Sequence, residues 1–127
     1  MATTKYIVNN VSGQTINGES ILPVYKVYTA LLSQSKNNPP TAIILENSIG
    51  NIVWTYDSAG EYVGTLANAF TNYKTFFSAC IFAPFAPSLI GIERIDDDRV
   101  GIVTTNNLGV KDNGLLNRTS IEIRVYN

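Results

Sequence analysis

Ten carboxylates are the side chains best equipped for chemistry in this 127-residue chain: Glu19, Glu46, Asp57, Glu61, Glu93, Asp96, Asp97, Asp98, Asp112 and Glu122. A glycosidase needs two of them facing each other across a cleft. Ten acids scattered through one small domain always supply some such pair, so the pattern has no specificity. Asp96-Asp97-Asp98 is the densest charge, and neighbouring carboxylates offer hard oxygen ligands to calcium. The glycine and distant glutamate of a calcium loop are missing, and the run reads instead as a solvated hairpin turn in which Asp accepts local backbone hydrogen bonds. Histidine is absent, which removes the commonest general base at neutral pH and the commonest transition-metal ligand. Neither a Ser-His-Asp nor a Cys-His arrangement can be assembled. Cys80 is the only cysteine, so an internal disulfide and a multi-cysteine zinc site are both impossible. Its apolar neighbours from Thr75 to Phe82 make it read as a small buried hydrophobe. Gly50, Gly60, Gly64 and Gly91 stand singly with no helix behind them, so no phosphate loop is present. These residues predict a protein that is not an enzyme and carries no cofactor and no metal.

The elements that must position these residues are strands. Fourteen Ile, ten Val and twelve Thr stand beside seven Tyr and five Phe, and such side chains suit a pleated, half-buried surface. No window shows a capped helical period. The strand candidates are Val24 to Gln34, Thr41 to Glu46, Asn51 to Tyr56, Glu61 to Leu66, Lys74 to Phe82, Leu89 to Ile95, Arg99 to Thr105 and Thr119 to Tyr126. Turn residues separate them at Ser35 to Pro40, Asn47 to Gly50, Asp57 to Gly60 and Asp112 to Gly114, the spacing of a sandwich or barrel. The last strand alternates cleanly, with Ile121, Ile123 and Val125 on one face and Glu122, Arg124 and Tyr126 on the other; a neighbouring strand is expected to set opposite charges across from Glu122 and Arg124. The fold class is all-β: a single antiparallel β-sandwich over 24–127, for which a jelly-roll is one available winding. Residues 1–23 form either an edge strand or an arm that lies on a partner, with a turn at Asn17-Gly18.

Composition narrows the partners. A hydrophobic share of 45% against 15% charged residues builds a real core, and a net charge of −1 with nine dispersed cations gives a polyanion nothing to follow. Nucleic acid is therefore not an expected partner. The longest apolar stretch, Ala79 to Ile90, contains Pro84 and Pro87 and is too short to span a membrane. No signal peptide is recognisable at the start, so synthesis in the cytoplasm is expected. Two features exceed the needs of a bland domain. Phe82, Pro84, Phe85 and Pro87 form an apolar connection that either makes a subunit contact or folds over the domain's own core. Trp54 and Tyr56, with asparagine-rich loops nearby, are either ligand-stacking aromatics for a sugar or ordinary core and cross-strand partners.

The runs Val24-Tyr25-Lys26-Val27-Tyr28-Thr29-Ala30-Leu31-Leu32, Leu45-Glu46-Asn47-Ser48-Ile49-Gly50, Ile52-Val53-Trp54-Thr55-Tyr56 and Gly114 to Tyr126 resemble a β module of tailed-bacteriophage virion and fibre proteins, those of crAss-like phages among them. The likeness covers most of 24–126, lies in strands and turns rather than in a catalytic signature, and departs at Ala79 to Leu89. It implies a virion structural protein: a head-fibre, capsid-decorating or tail-associated subunit, made in the host cytoplasm. Copies of itself as a homotrimer, other virion proteins and a host-surface glycan are the partners it implies. The alternative from the residues alone is a carbohydrate- or receptor-binding module.

Overall fold

Alternation of apolar and polar residues decides which side of each strand is buried, and the last strand shows the rule most plainly. Ile121, Ile123 and Val125 are buried while Tyr126 on the other face is exposed. The computed structural model describes residues 24–81 and 88–127, together with the backbone at 15–16 and 19–20. The strands are β1 (Thr15–Ile16), β2 (Glu19–Ser20), β3 (Tyr25–Ser33), β4 (Thr41–Asn47), β5 (Val53–Ser58), β6 (Glu61–Thr65), β7 (Thr75–Cys80), β8 (Leu89–Asp96), β9 (Arg99–Thr105) and β10 (Thr119–Tyr126). β1 and β2 pair antiparallel as a ladder of their own, Ile16 opposite Glu19, and the turn expected at Asn17-Gly18 lies outside the described residues.

The other eight strands form two four-stranded antiparallel sheets, in the orders β4-β3-β10-β7 and β5-β6-β9-β8, and these pack as the expected β-sandwich. β3–β4, β5–β6 and β8–β9 are hairpins that stay within one sheet, so this order does not establish a jelly-roll. Every other connection crosses between the sheets. Tyr28, Ala30, Leu32, Ile121 and Ile123 from one sheet meet Trp54, Tyr62, Val100 and Ile102 from the other. Two loop residues, Phe70 and Leu116, are also fully covered and belong to the same core. Burying each such side chain contributes about 1.5–3 kcal/mol relative to leaving it in water.

Glycine is required where side chains crowd the backbone. A β-carbon on Gly64 would lie 2.8 Å from both the Trp54 ring and Ile52, so the indole packs directly over that glycine in its paired strand. At Gly60, in the β5–β6 turn, φ is +70° and a β-carbon would lie 2.5 Å from the Thr104 carbonyl oxygen. Both the dihedral and the space exclude a side chain there.

Candidate interaction surface

The outer face of the β4-β3-β10-β7 sheet carries large side chains that the core does not absorb. Register sets Ile43, Leu31, Ser120 and Cys80 in one row across the four strands, and Val27, Arg124 and Phe76 in another. Ile43 is 55% exposed, Phe76 49% and Tyr126 38%. Leu45, 60% exposed, occupies the bulge where β4 slips against β3 between Thr29 and Ala30. β4 is an edge strand, and its residues 41–45 carry neither a charge nor a proline. Charges and prolines are the usual protection of a free strand edge.

Arg124 organises the opposite part of this face. Its guanidinium carbon lies 4.6 Å from the centre of the Tyr25 ring and 5.9 Å from that of Phe76, while Nη2 is 3.2 Å from Glu122. Tyr25 and Tyr126 stack at 5.2 Å, tilted by 51°. The expected cross-strand ion pairs are corrected here. Glu122 faces Thr29 and Ser78, and Arg124 faces Val27 and Phe76, so the two charges pair with each other along one strand instead. Tyr126 and Glu122 hold the guanidinium charged, its pKa raised. Arg124 Nε is buried without a hydrogen-bond partner among the described residues.

Trp54 lies in the core at 7% exposure, and its Nε1 donates to the Tyr28 hydroxyl at 3.2 Å. The stacking role anticipated for Trp54 is corrected accordingly, since a covered indole presents no face to a ligand. Tyr56 is half-buried, its hydroxyl accepting from Asn113 Nδ2 at 3.2 Å and its ring 6.1 Å from Tyr62. Tyr25, beside Arg124, and Tyr28, in the core, lie on opposite faces of β3. Cys80 is exposed rather than buried. Its apolar neighbours alternate along an edge strand, and Cys80 falls on the outer row. Phe82, Pro84, Phe85 and Pro87 lie outside the described residues, as does most of 1–23.

Each carboxylate of Asp96-Asp97-Asp98 has a protein partner. Asp96 accepts from Arg99 Nη2 at 2.6 Å and from the Asp98 amide, Asp97 pairs with Arg94, and Asp98 accepts from the Asn68 amide at 2.8 Å. Arg94 Nε also donates to the Phe70 carbonyl at 2.7 Å. The triad therefore fastens the β8–β9 turn to the loop that delivers Phe70 to the core.

At the far end of the sandwich the fastening is mostly neutral, beside one ion pair between Lys111 and Glu61 at 3.0 Å. Gln34 is buried; its Oε1 accepts from the Tyr62 hydroxyl at 2.7 Å and the Gly114 amide at 2.8 Å, while Nε2 donates to the carbonyls of Lys36 and Asn38. Asn113 Oδ1 accepts from the Gly60 amide at 2.9 Å. Asp112-Asn113-Gly114 is the turn the sequence predicts, with Gly114 at φ +76°. The buried glutamine and the Arg124 cluster were not apparent in the sequence, because their partners lie up to 99 residues away along the chain.

No protein-family model matches the chain, and neither curated proteins nor solved structures show a significant match to it. The class that the structure itself defines is an all-β antiparallel sandwich whose one outer face exposes large apolar side chains beside the Arg124–Glu122 pair.

Proposed function

We propose that this chain is a structural subunit of a phage virion, a head-fibre, capsid-decorating or tail-associated protein, working through protein–protein contacts. One observation carries the reading: Ile43 and Phe76 stand exposed on one sheet face, beside Leu45 in the bulge of an edge strand whose residues 41–45 carry no charge. Interface centres are depleted in charge and enriched in aromatic residues and arginine, which is the make-up of this face around Tyr25, Phe76 and Arg124. The resemblance to virion β modules agrees with this. In this reading the face packs against copies of the chain in a homotrimer and against neighbouring virion proteins.

Light scattering on the purified chain tests the contact, with a trimer expected. Ile43→Lys combined with Leu45→Lys is expected to release monomers while leaving the melting temperature within about 2 °C, since substitutions at exposed positions change stability by only about ±0.5 kcal/mol. A monomer at every concentration would remove self-assembly from the proposal. Mass spectrometry of particles from a lysate that produces the chain tests the virion assignment, and its absence from purified particles would overturn it.

A further inference from the structure

Two open depressions adjoin at the end of the sandwich where β3 turns into β4. The first, about 510 Å³, is lined by Ser33, Ser35, Asn38, Thr41 and Asn117, with Pro39 among its apolar members. Its size falls within the range of about 300–1,000 Å³ typical of small-molecule sites. The second, about 390 Å³, shares Asn117 and adds Arg118 and Ser120. No carboxylate among the described residues lines either one.

The polar groups at this end divide into two sets. Gln34 and Asn113 spend their side-chain amides inward, fixing both loops. The side-chain amides of Asn38 and Asn117 and the Ser35 hydroxyl make no hydrogen bond to a described residue, so donors and acceptors stand ready on a rigid frame. Such an array of amides and hydroxyls is matched by a hydroxyl-rich ligand.

Charge refines the class. Lys36 and Arg118, like Lys26 and Lys74, form no ion pair with a described residue, and Arg118 is the one of these four that lines either depression. Lys36 and Arg118 each also occupy a left-handed backbone position, φ +54° for Lys36 and φ +47° for Arg118, where glycine is the unstrained choice. Cationic side chains held under strain on the two loops that border one cavity point to a role outside folding.

We propose that this end of the sandwich binds an acidic saccharide. Its ring hydroxyls meet Ser35, Asn38 and Asn117, and its carboxylate pairs with Arg118, with Lys36 adding to the local positive field. The site borders the docking face at Thr41 and Ser120 but includes none of Ile43, Leu45, Phe76 and Tyr126, and variants at Arg118 leave those four side chains in place, so the two readings fail separately.

Titration of the full chain with 3′-sialyllactose and with a glucuronate-terminated disaccharide, against lactose as the neutral control, tests the proposal. Saturable binding of at least one acidic probe is expected, with NMR shifts at the Asn38 and Asn117 side-chain amides and at least tenfold weaker binding of lactose. Arg118→Gly is expected to weaken the acidic probe by about tenfold, the loss of one charge-assisted hydrogen bond, while the melting temperature holds or rises as strain is relieved. Arg118→Gln, which keeps a side chain in place, is expected to weaken binding similarly. No saturable binding of either acidic probe up to about 10 mM, equal binding of lactose, or unchanged affinity in both Arg118 variants would overturn it.

Discussion

The two ends of the sandwich are closed by different balances of neutral hydrogen bonds and ion pairs. Where β3 turns into β4, neutral groups do most of the fastening: buried Gln34 and Tyr62 and half-buried Asn113 bind each other and the backbone of Gly60 and Gly114, beside one ion pair, Lys111–Glu61. Where β8 turns into β9, exposed ion pairs do it: Arg94 with Asp97 and Arg99 with Asp96. A buried amide that loses its partner incurs a full desolvation penalty, whereas exposed ion pairs are screened by water and salt and contribute little. The neutral end is therefore stiff and intolerant of change, and the charged end tolerant and sensitive to solution conditions. A ligand cavity belongs on the stiff end, because groups already fixed in place lose little entropy on binding.

Gly60→Ala should break the neutral end most severely. A methyl group there would sit against the Thr104 carbonyl and the Asp112 amide, both backbone atoms that cannot turn aside, at a φ unfavourable to alanine. A loss of about 3 kcal/mol is expected in urea denaturation. A loss below 1 kcal/mol would mean that the turn relaxes freely and the end is not stiff.

Gln34→Ala comes next, at about 2 kcal/mol, because the Tyr62 hydroxyl and the Gly114 amide both lose an acceptor. The effect should not vary between pH 5 and pH 8, since no group in this pairing titrates there. The alkaline limb adds a second reading of the same end. Burial raises the Tyr62 pKa above its ordinary 10.0. Folding then favours the neutral phenol: the contribution is complete below the ordinary value and is lost as pH rises through the folded one. Tyr62→Phe should flatten that limb.

These two ends also mark how far the sequence could be read. Arg99–Thr105 and Thr119–Tyr126 match their predicted bounds, and Leu89–Asp96 differs by a single residue, because alternation and turn residues are local signals. The Asp57-Ser58-Ala59-Gly60 hairpin was legible for the same reason. What lay beyond reach depends on pairing across the sheet. Ala42-Ile43-Ile44-Leu45 has the continuous apolar character of a strand buried on both faces, but β4 lies at an edge. Cys80 sits in a similar run and turns outward. The burial of Gln34 follows from contacts to Tyr62 and Gly114, 28 and 80 residues onward, which no local pattern announces.

At the charged end, Asp98→Ala is expected to cost about 1 kcal/mol or less, removing the acceptor for the Asn68 amide from an exposed turn. Asn68 is itself left-handed at φ +57°. The variant should therefore loosen the 66–70 loop, read as faster amide exchange at Asn68 and Phe70, before it lowers global stability. If Gly60→Ala and Asp98→Ala proved equally damaging, the contrast between the ends would fail.

The smallest effect sharpens the contrast through pH and salt. Arg99 holds the Asp96 carboxyl below its ordinary 3.8, so folding favours the ionised form. That contribution is complete above the unfolded-state pKa and disappears as pH falls through the lowered folded-state value. Asp96→Asn should lie slightly below the parent chain in melting temperature at pH 7, converge with it as pH drops below about 4, and show a smaller difference in 1 M salt. Gln34→Ala, measured alongside, should keep its deficit under all of these conditions. A deficit in Asp96→Asn that survives both acid and salt would place the β8–β9 turn under the same dry, neutral regime as the opposite end, and would remove the physical distinction on which the choice of binding end rests.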